Sequence, residues 1–426
     1  MAPSSGKATG GLFLVLLWAA FVLPKANWAA FQFVVGHTTF SELSLILMPF
    51  IYALYPRQRA FWHTKQLRTA IVAFFASCVF CNLAQYLLYG GSITSFCRVH
   101  RALIPLYCAM ALLYLGPRIR PKAIIGNLGA CLSVSFLISL VFFFFDIDFT
   151  PFFNAELTEE AYELIRSGRL YNVNAGFGYV ALTIIAAFCY YRKKLPKRQS
   201  NWLLLFASAL SVLASILTYN RTFLVILPLL IAASLLTFFR LRVAFYFILG
   251  MCFAVLLGLY GYYQYDRVQR QVDQRIILPL KHQEILENVY YGKREVLYEG
   301  YFDLAKEYAL TGVPPDVPLA VVGFQSREVV TTDISFATVL LRNGVFSFMA
   351  YLWAGFLVYR NLWKIKDRKE GPTAKMLRRS LLLAIPFMLA AGLNIDILAR
   401  HYPVVFVVLL VTTLRADNTD QMRQAG

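Results

Sequence analysis

Charge is scarce in this chain. Only 15% of its 426 residues are charged, where a soluble domain carries about 25%. Acid is scarcer still, with 23 aspartates and glutamates against 41 lysines and arginines. Polar stretches are also rare. Residues 264–333 form the one long hydrophilic segment between apolar runs that otherwise follow one another closely. The apolar share is 59%, spread along nearly the whole length. A single packed core does not use apolar residues in that way, whereas a chain solvated by lipid does.

Other absences narrow the function. There is no HExxH and no His pair at ligand spacing, so no metal site is expected. There is no GxxxxGK[ST] and no GxGxxG following a strand, which disfavours a nucleotide-driven mechanism and leaves no cofactor to expect. No internal repeat is visible, which weakens an inverted-repeat transporter. Residues 11–23 are apolar after Lys7, but no small-residue cleavage site follows cleanly, so the stretch reads as a retained first helix. Of the seven cysteines most lie inside apolar runs. Cys78 and Cys81 have CxxC spacing but fall in an expected lipid-embedded helix, and read as small apolar residues. Residues 264–333 hold no cysteine, so no disulfide framework secures them. The net charge of +18 would suggest nucleic acid in a soluble protein. Here the bases lie in short runs between apolar stretches, so topology explains them and no nucleic-acid partner is expected.

What is present is a series of apolar runs, each near the 20 or so residues needed to cross about 30 Å of hydrocarbon. They predict helices near 11–30, 38–55, 68–90, 99–116, 122–145, 171–191, 201–218, 222–239, 243–263, 334–359, 379–395 and 402–415. The expected fold is an all-α integral membrane protein of about 12 transmembrane helices. Residues 1–263 hold the first nine, 264–333 form a large outer loop, and 334–426 hold the last three and a C-terminal tail. Lys and Arg favour the cytoplasmic side. Arg57, Arg59, Lys65 and Arg68, then Arg118, Arg120 and Lys122, fall in alternate loops. So do Arg192 to Arg198, Arg240 and Arg242, and Arg360 to Arg379. All share one side if both termini are cytoplasmic. The opposite loops differ: 146–170 holds six acids against Arg166 and Arg169, and 264–333 has slightly more acid than base.

Inside the outer loop, residues 294–310 carry apolar and aromatic side chains near helical spacing, ended by Gly312 and Pro314. The pattern predicts an amphipathic helix over the membrane face. A structured loop of this length is more often functional than a passive connector.

The sharpest local feature is Thr218-Tyr219-Asn220-Arg221-Thr222, a very short outer turn between apolar helices. Arg221 is either a snorkelling arginine that marks a helix end or a phosphate-binding fork at the mouth of the bundle. Arg98 and Arg101 open the fourth helix, Arg275, Lys293, Arg294 and Arg327 lie in the long loop, and Arg400 starts the last helix. Together they predict an outward-facing cationic site, able to hold a lipid-linked pyrophosphate as charge develops on it. Asp333, in Thr331-Thr332-Asp333-Ile334-Ser335, reads as an N-cap or as an acid/base group. Asp396 shares that placement and that ambiguity, and His401 and His282 rank lower. The helix interiors are nearly free of charge, against a transporter or flippase.

The arrangement resembles the O-antigen polymerase and O-antigen ligase superfamily. The turn at Thr218–Thr222 looks like that family's S/T-x-x-R-[TG] turn. The late outer loop with Arg294 and Ala320-Val321-Val322-Gly323-Phe324 is similar to its LLGxG stretch. Thr332-Asp333-Ile334 through Leu340-Leu341-Arg342-Asn343-Gly344-Val345-Phe346 looks like its loop-end motif. Ligases of the family typically begin that motif with His-Asn; Asp333 stands here instead, which favours a polymerase. Asn172 and Asn174 lie where relatives often carry a polar entry to a helix. The resemblance implies a GT-C-like, metal-independent glycosyltransferase of lipopolysaccharide biosynthesis in a bacterial inner membrane, with a periplasmic active site and periplasmic loop. Its expected partners are an undecaprenyl-pyrophosphate-linked oligosaccharide, membrane lipid and a chain-length regulator. Arg221, Arg294 and Asp333 would be catalytic. Arg98, Arg101, Asn174, Arg275, Arg327, Asp396 and Arg400 would bind substrate. The alternatives are a ligase that transfers glycan to a lipid core, and a flippase or transporter.

Overall fold

The computed structural model describes residues 5–22, 40–58, 60, 62–90, 100–101, 103–145, 176–218, 221–239, 250, 253, 256, 260–266, 269, 273, 292–314, 317, 335–365, 371–392 and 402–414. Among them, regular structure is helical throughout. The helices are α1 (Ser5–Val22), α2 (Phe40–Ala53), α3 (Lys65–Tyr89), α4 (Ile104–Leu115), α5 (Pro121–Phe144) and α6 (Gly176–Tyr191). There follow α7 (Gln199–Leu217), α8 (Arg221–Phe238), α9 (Gly292–Glu307), α10 (Ser335–Lys364), α11 (Pro372–Gly392) and α12 (Tyr402–Thr413). The segment expected near 243–263 lies mostly outside the described residues.

Among the described residues four helices are long and apolar enough to cross a membrane: Lys65–Tyr89, Pro121–Val141, Gln199–Leu217 and Phe336–Lys364. Six shorter apolar helices join them. Their surface fits a lipid surround. On α3 the exposed side chains include Val72, Val79, Phe80, Leu83, Leu87 and Leu88, while Gln85 is buried. That is the reverse of a helix in water, where a large exposed apolar patch is a liability. The chain is an α-helical membrane protein.

Helix ends depart from the apolar runs where a helix continues past the lipid. α11 starts at Pro372, not near 379, because Thr373, Met376 and Leu377 are buried on its inner face. Hydropathy misses that turn, since its outer face is polar. α10 runs to Lys364, beyond the expected 359. α7 shows what draws helices together. Leu204, Ala207, Ser208, Ser211, Ala214 and Ser215 are buried at helical spacing, and small residues let backbones approach closely where no water drives association. Ser380 of α11 adds a polar tie, donating to Thr183 O of α6 at 3.2 Å.

Contacts at the helix ends sort the bundle into two poles. At one, Arg360 donates to Gln66 (2.6 Å) and Asn361 to Trp62 O (2.9 Å). Arg378 donates to Leu362 O (3.4 Å), Arg379 lies over the Tyr191 ring (5.9 Å), and Trp62 donates to Leu414 O (3.4 Å). Lys65, Arg68, Arg192, Lys364 and Lys375 lie on these same elements, so this is the basic pole. At the far pole, Arg101 pairs with Glu42 at 2.9 Å, and Tyr179 meets Phe223 with ring centroids 5.0 Å apart. Phe177 meets Phe406 at 5.6 Å, and Tyr89 meets Tyr308 at 5.6 Å.

Candidate functional site

α3 and α10 run antiparallel between the poles, with Gln66 beside Arg360 at one end and Gln85 beside Arg342 at the other. At the far pole α10 is interrupted. Gly344 has φ 72° and ψ 173°, a combination that essentially only glycine adopts. In an unbroken helix the Val345 N–H would donate to Leu341 O. Here it donates to Ala309 O at 2.8 Å, and Leu341 O accepts from Val313 N at 2.6 Å. One rung of the helix is thus exchanged for two bonds to the chain that returns from α9. A Cβ at Gly344 would stand 2.5 Å from Leu310 O, so the approach itself also requires glycine.

Side chains complete this junction. Gln85 Nε2 donates to Thr311 O and to Arg342 O (3.1 Å), and Cys81 Sγ donates to Leu310 O (3.2 Å). Cys81 is therefore a weak hydrogen-bond donor to the loop, beyond the apolar role its setting suggested. Arg342 is 1% exposed and donates through Nη1 to Val313 O (3.4 Å) and Pro314 O (3.3 Å). It lies at the far-pole end of α10, two residues before the break. A buried cation needs acceptors, and backbone carbonyls of residues 313–314 are among those that serve. α9 then packs on the outer part of α10 through a small core of Tyr301, Val313 and Leu341, with Leu304, Ala305 and Tyr308 against it. The helix expected at 294–310 is α9, ended as expected before Gly312 and Pro314.

The position of the break follows from length. The 20 residues from Val345 to Lys364 span about 30 Å, the thickness of a hydrocarbon core. The part of α10 on the Lys364 side of Gly344 is thus long enough by itself to cross a membrane, and the end of α9 and residues 308–314 pack at its far-pole end.

A second polar line enters from α4. His100 Nδ1 lies 2.9 Å from Tyr107 Oη, and Tyr107 Oη donates to Asn343 Oδ1 at 3.2 Å. For the tyrosine to donate onward, His100 must donate to it through Nδ1–H. Asn343 is fully buried, and among the described residues its Nδ2 has no hydrogen-bond partner. Sequence reasoning missed Gln85, His100, Tyr107 and Asn343 as members of this site. The one available signal was a run of polar residues, Arg342-Asn343, inside an otherwise apolar helix.

Of the residues singled out from sequence, Arg221 is the first residue of α8 and Arg294 lies in the first turn of α9. Both elements reach the far pole, α8 through the Phe223–Tyr179 contact and α9 through Tyr308 and Tyr89; the side chains of Arg221 and Arg294 lie outside what is described. Arg101 is half-buried and donates through Nε to Glu42, which ties α2 to the start of α4. Asp333, Arg98, Asn174, Arg275, Arg327, Asp396 and Arg400, with Asn172, His282 and His401, lie outside the described residues.

No family model matches the chain, and no curated protein matches it.

Proposed function

We propose that this protein is a polysaccharide polymerase, a membrane glycosyltransferase that extends an O-antigen-type surface glycan on its lipid carrier. In this reading the basic pole faces the cytoplasm of a bacterium, both termini lie there, and about twelve helices cross the inner membrane. The far pole faces the periplasm. A hydroxyl at the non-reducing end of one lipid-linked repeat unit attacks the anomeric carbon of a second glycan. The carbon–oxygen bond to undecaprenyl pyrophosphate breaks, and its electron pair leaves with the pyrophosphate. Arg221 and Arg294 neutralise that departing charge, and Asp333 orients the hydroxyl or takes its proton. No metal enters the step, because pyrophosphate is already a good leaving group and positioning with fixed charge supplies the rate. Asp333, standing where ligases of the resembled family carry His-Asn, favours chain extension over transfer to a lipid core.

One observation carries the reading. The head of α8, which bears Arg221, and the C-terminal part of α9, the helix that bears Arg294, pack at the pole opposite the basic loops, and the junction at Gly344 fastens the end of α9 to α10. The test is reconstitution with lipid-linked repeat units in liposomes. The natural protein should build a ladder of lengthened glycans. Arg221→Ala and Arg294→Ala should stay folded and inserted while slowing extension by about 10²- to 10³-fold, the effect of removing one charge-stabilising group. Arg221→Lys should also be impaired, since a point charge does not replace a fork. An unaltered ladder from both alanine variants removes these arginines from the mechanism. A natural protein that extends nothing sinks the polymerase.

A further inference from the structure

The basic pole holds a built cluster that the proposed reaction does not use. The α2–α3 loop and the α4–α5 loop are stitched together there. Gln58 N donates to Pro117 O (2.9 Å) and Arg118 N donates to Tyr52 Oη (3.0 Å). The Arg118 guanidinium caps α2 by donating through Nη1 to Ala53 O (2.6 Å) and Tyr55 O. Into this bracket His63 is wedged. Its Nε2–H donates to Tyr114 O at 2.9 Å, so its Nδ1 is free to accept from Arg57 Nη2 at 2.8 Å. The ring lies against Gly116, whose φ is +69° and where a Cβ would stand 2.8 Å from Nδ1.

His63 is held neutral: burial, then the adjacent Arg57, push its pKa down to about 4. It therefore fixes the Arg57 guanidinium without adding charge. Arg57 is in turn lowered by burial and then by its neighbours Arg68 and Arg118. Arg57 and Arg118 are thus held in one bracket by His63 and the two loops, Arg68 follows in the first turn of α3, and among the described residues no carboxylate pairs with any of them. In that first turn the helix dipole disfavours a cation and favours an anion. Among the described residues Arg118 Nε, which is buried, has no hydrogen-bond partner. The cluster is short of a multivalent acceptor, which is what a phosphate is.

The surroundings specify how that phosphate is carried. Arg68 shares one face of α3 with Val72, Val79, Leu83 and Tyr86, all exposed. Leu54, 66% exposed, and Tyr114, 42% exposed, border the cluster. An anion seated on the arginines has apolar surface directly beneath it and aromatic residues at its level, the setting of a membrane interface. We propose that Arg57, Arg68 and Arg118 form a binding site for the phosphate of an anionic lipid, whose acyl chain lies along the exposed face of α3.

The full-length protein tests this in vesicles of phosphatidylcholine alone or mixed in equal parts with phosphatidylglycerol. Lipid retained on extraction is read by native mass spectrometry. Phosphatidylglycerol should be retained in preference, and Arg57→Gln with Arg68→Gln should cut that preference by about tenfold or more, at roughly 1 kcal/mol per surface cation. Neither residue ties the fold together through backbone carbonyls, and helicity by circular dichroism checks that the double variant is intact. Equal retention of the two lipids overturns the site. So does an undiminished preference in the folded double variant. Millimolar inorganic phosphate that binds the arginines with no lipid retained would mark the site as one for free phosphate and reject the lipid. The outcome is independent of whether the protein extends glycans.

Discussion

The two poles treat arginine in opposite ways. At the far pole Arg342 is buried, and backbone carbonyls of Val313 and Pro314 take its N–H groups. At the basic pole Arg57 is exposed and hydrogen-bonds a neutral histidine, with no carboxylate paired to it among the described residues. The difference follows from solvent. A cation inside the bundle must find its acceptors in the protein, so Arg342 ties chain segments together. A cation at the membrane surface can leave them to mobile anions, so Arg57 ties nothing and binds. The far pole is thus mechanically built, fixing α9 over the end of α10, while the basic pole is chemically open.

The largest break in that comparison should come from Gly344→Ala. The φ of 72° is costly for any Cβ, by about 1–3 kcal/mol, and the contact with Leu310 O adds to it. Thermal unfolding in detergent should drop by several degrees. The Val313 and Val345 amides, bonded to Leu341 O and Ala309 O, should exchange with solvent faster. A variant as stable as the natural protein would mean that α10 straightens at no cost and that the junction fixes nothing.

Arg342→Met comes next. It keeps the volume but strips Nη1 from Val313 O and Pro314 O; Pro314 O still accepts from Val317 N, while losing the partner of the buried Val313 carbonyl costs about 1–3 kcal/mol. Arg342→Lys should recover part of the loss, because an ammonium still donates. Identical melting of the lysine and methionine variants would show that the carbonyl contacts are without weight.

Most of the fold was legible because lipid leaves little choice. Each span must be an apolar helix, so α3, α5 and α7 stand close to where their apolar runs are. α9 was legible from its own periodicity and from Gly312. The break at Gly344 was not. Its cause lies in residues remote in sequence, with Gln85 bonded to Thr311 O. A glycine within an apolar helix reads equally as a close-packing position. Arg342-Asn343 was visible as a polar pair, but the burial of Arg342 depends on the return of residues 308–314, which no local pattern announces. Arg221 and Arg294 were singled out from the turn and the loop that carry them and from loop charge, which says nothing about the histidine–tyrosine–asparagine line.

The smallest effect, and the most diagnostic of the basic pole, is a pH dependence. His63 has an ordinary pKa of 6.5 and is lowered to about 4 in the fold. Between those values the unfolded chain binds a proton that the folded chain does not. The bracket's stability is therefore complete above about 6.5, declines as pH falls towards 4, and loses nothing more below that. A proton on Nδ1 also removes the acceptor that holds Arg57, and places a fourth cation beside Arg57, Arg68 and Arg118. His63→Gln cannot take up that proton. Melting temperature in detergent, followed from neutral pH down to about 5.5 where carboxylates remain largely ionised, should fall for the natural protein and stay flatter for the variant. Anionic lipid should reduce the fall, because a phosphate on the three arginines compensates the added charge. Parallel curves for the two proteins, with and without that lipid, would mean that His63 does not hold Arg57 and that the basic pole is an ordinary solvated surface.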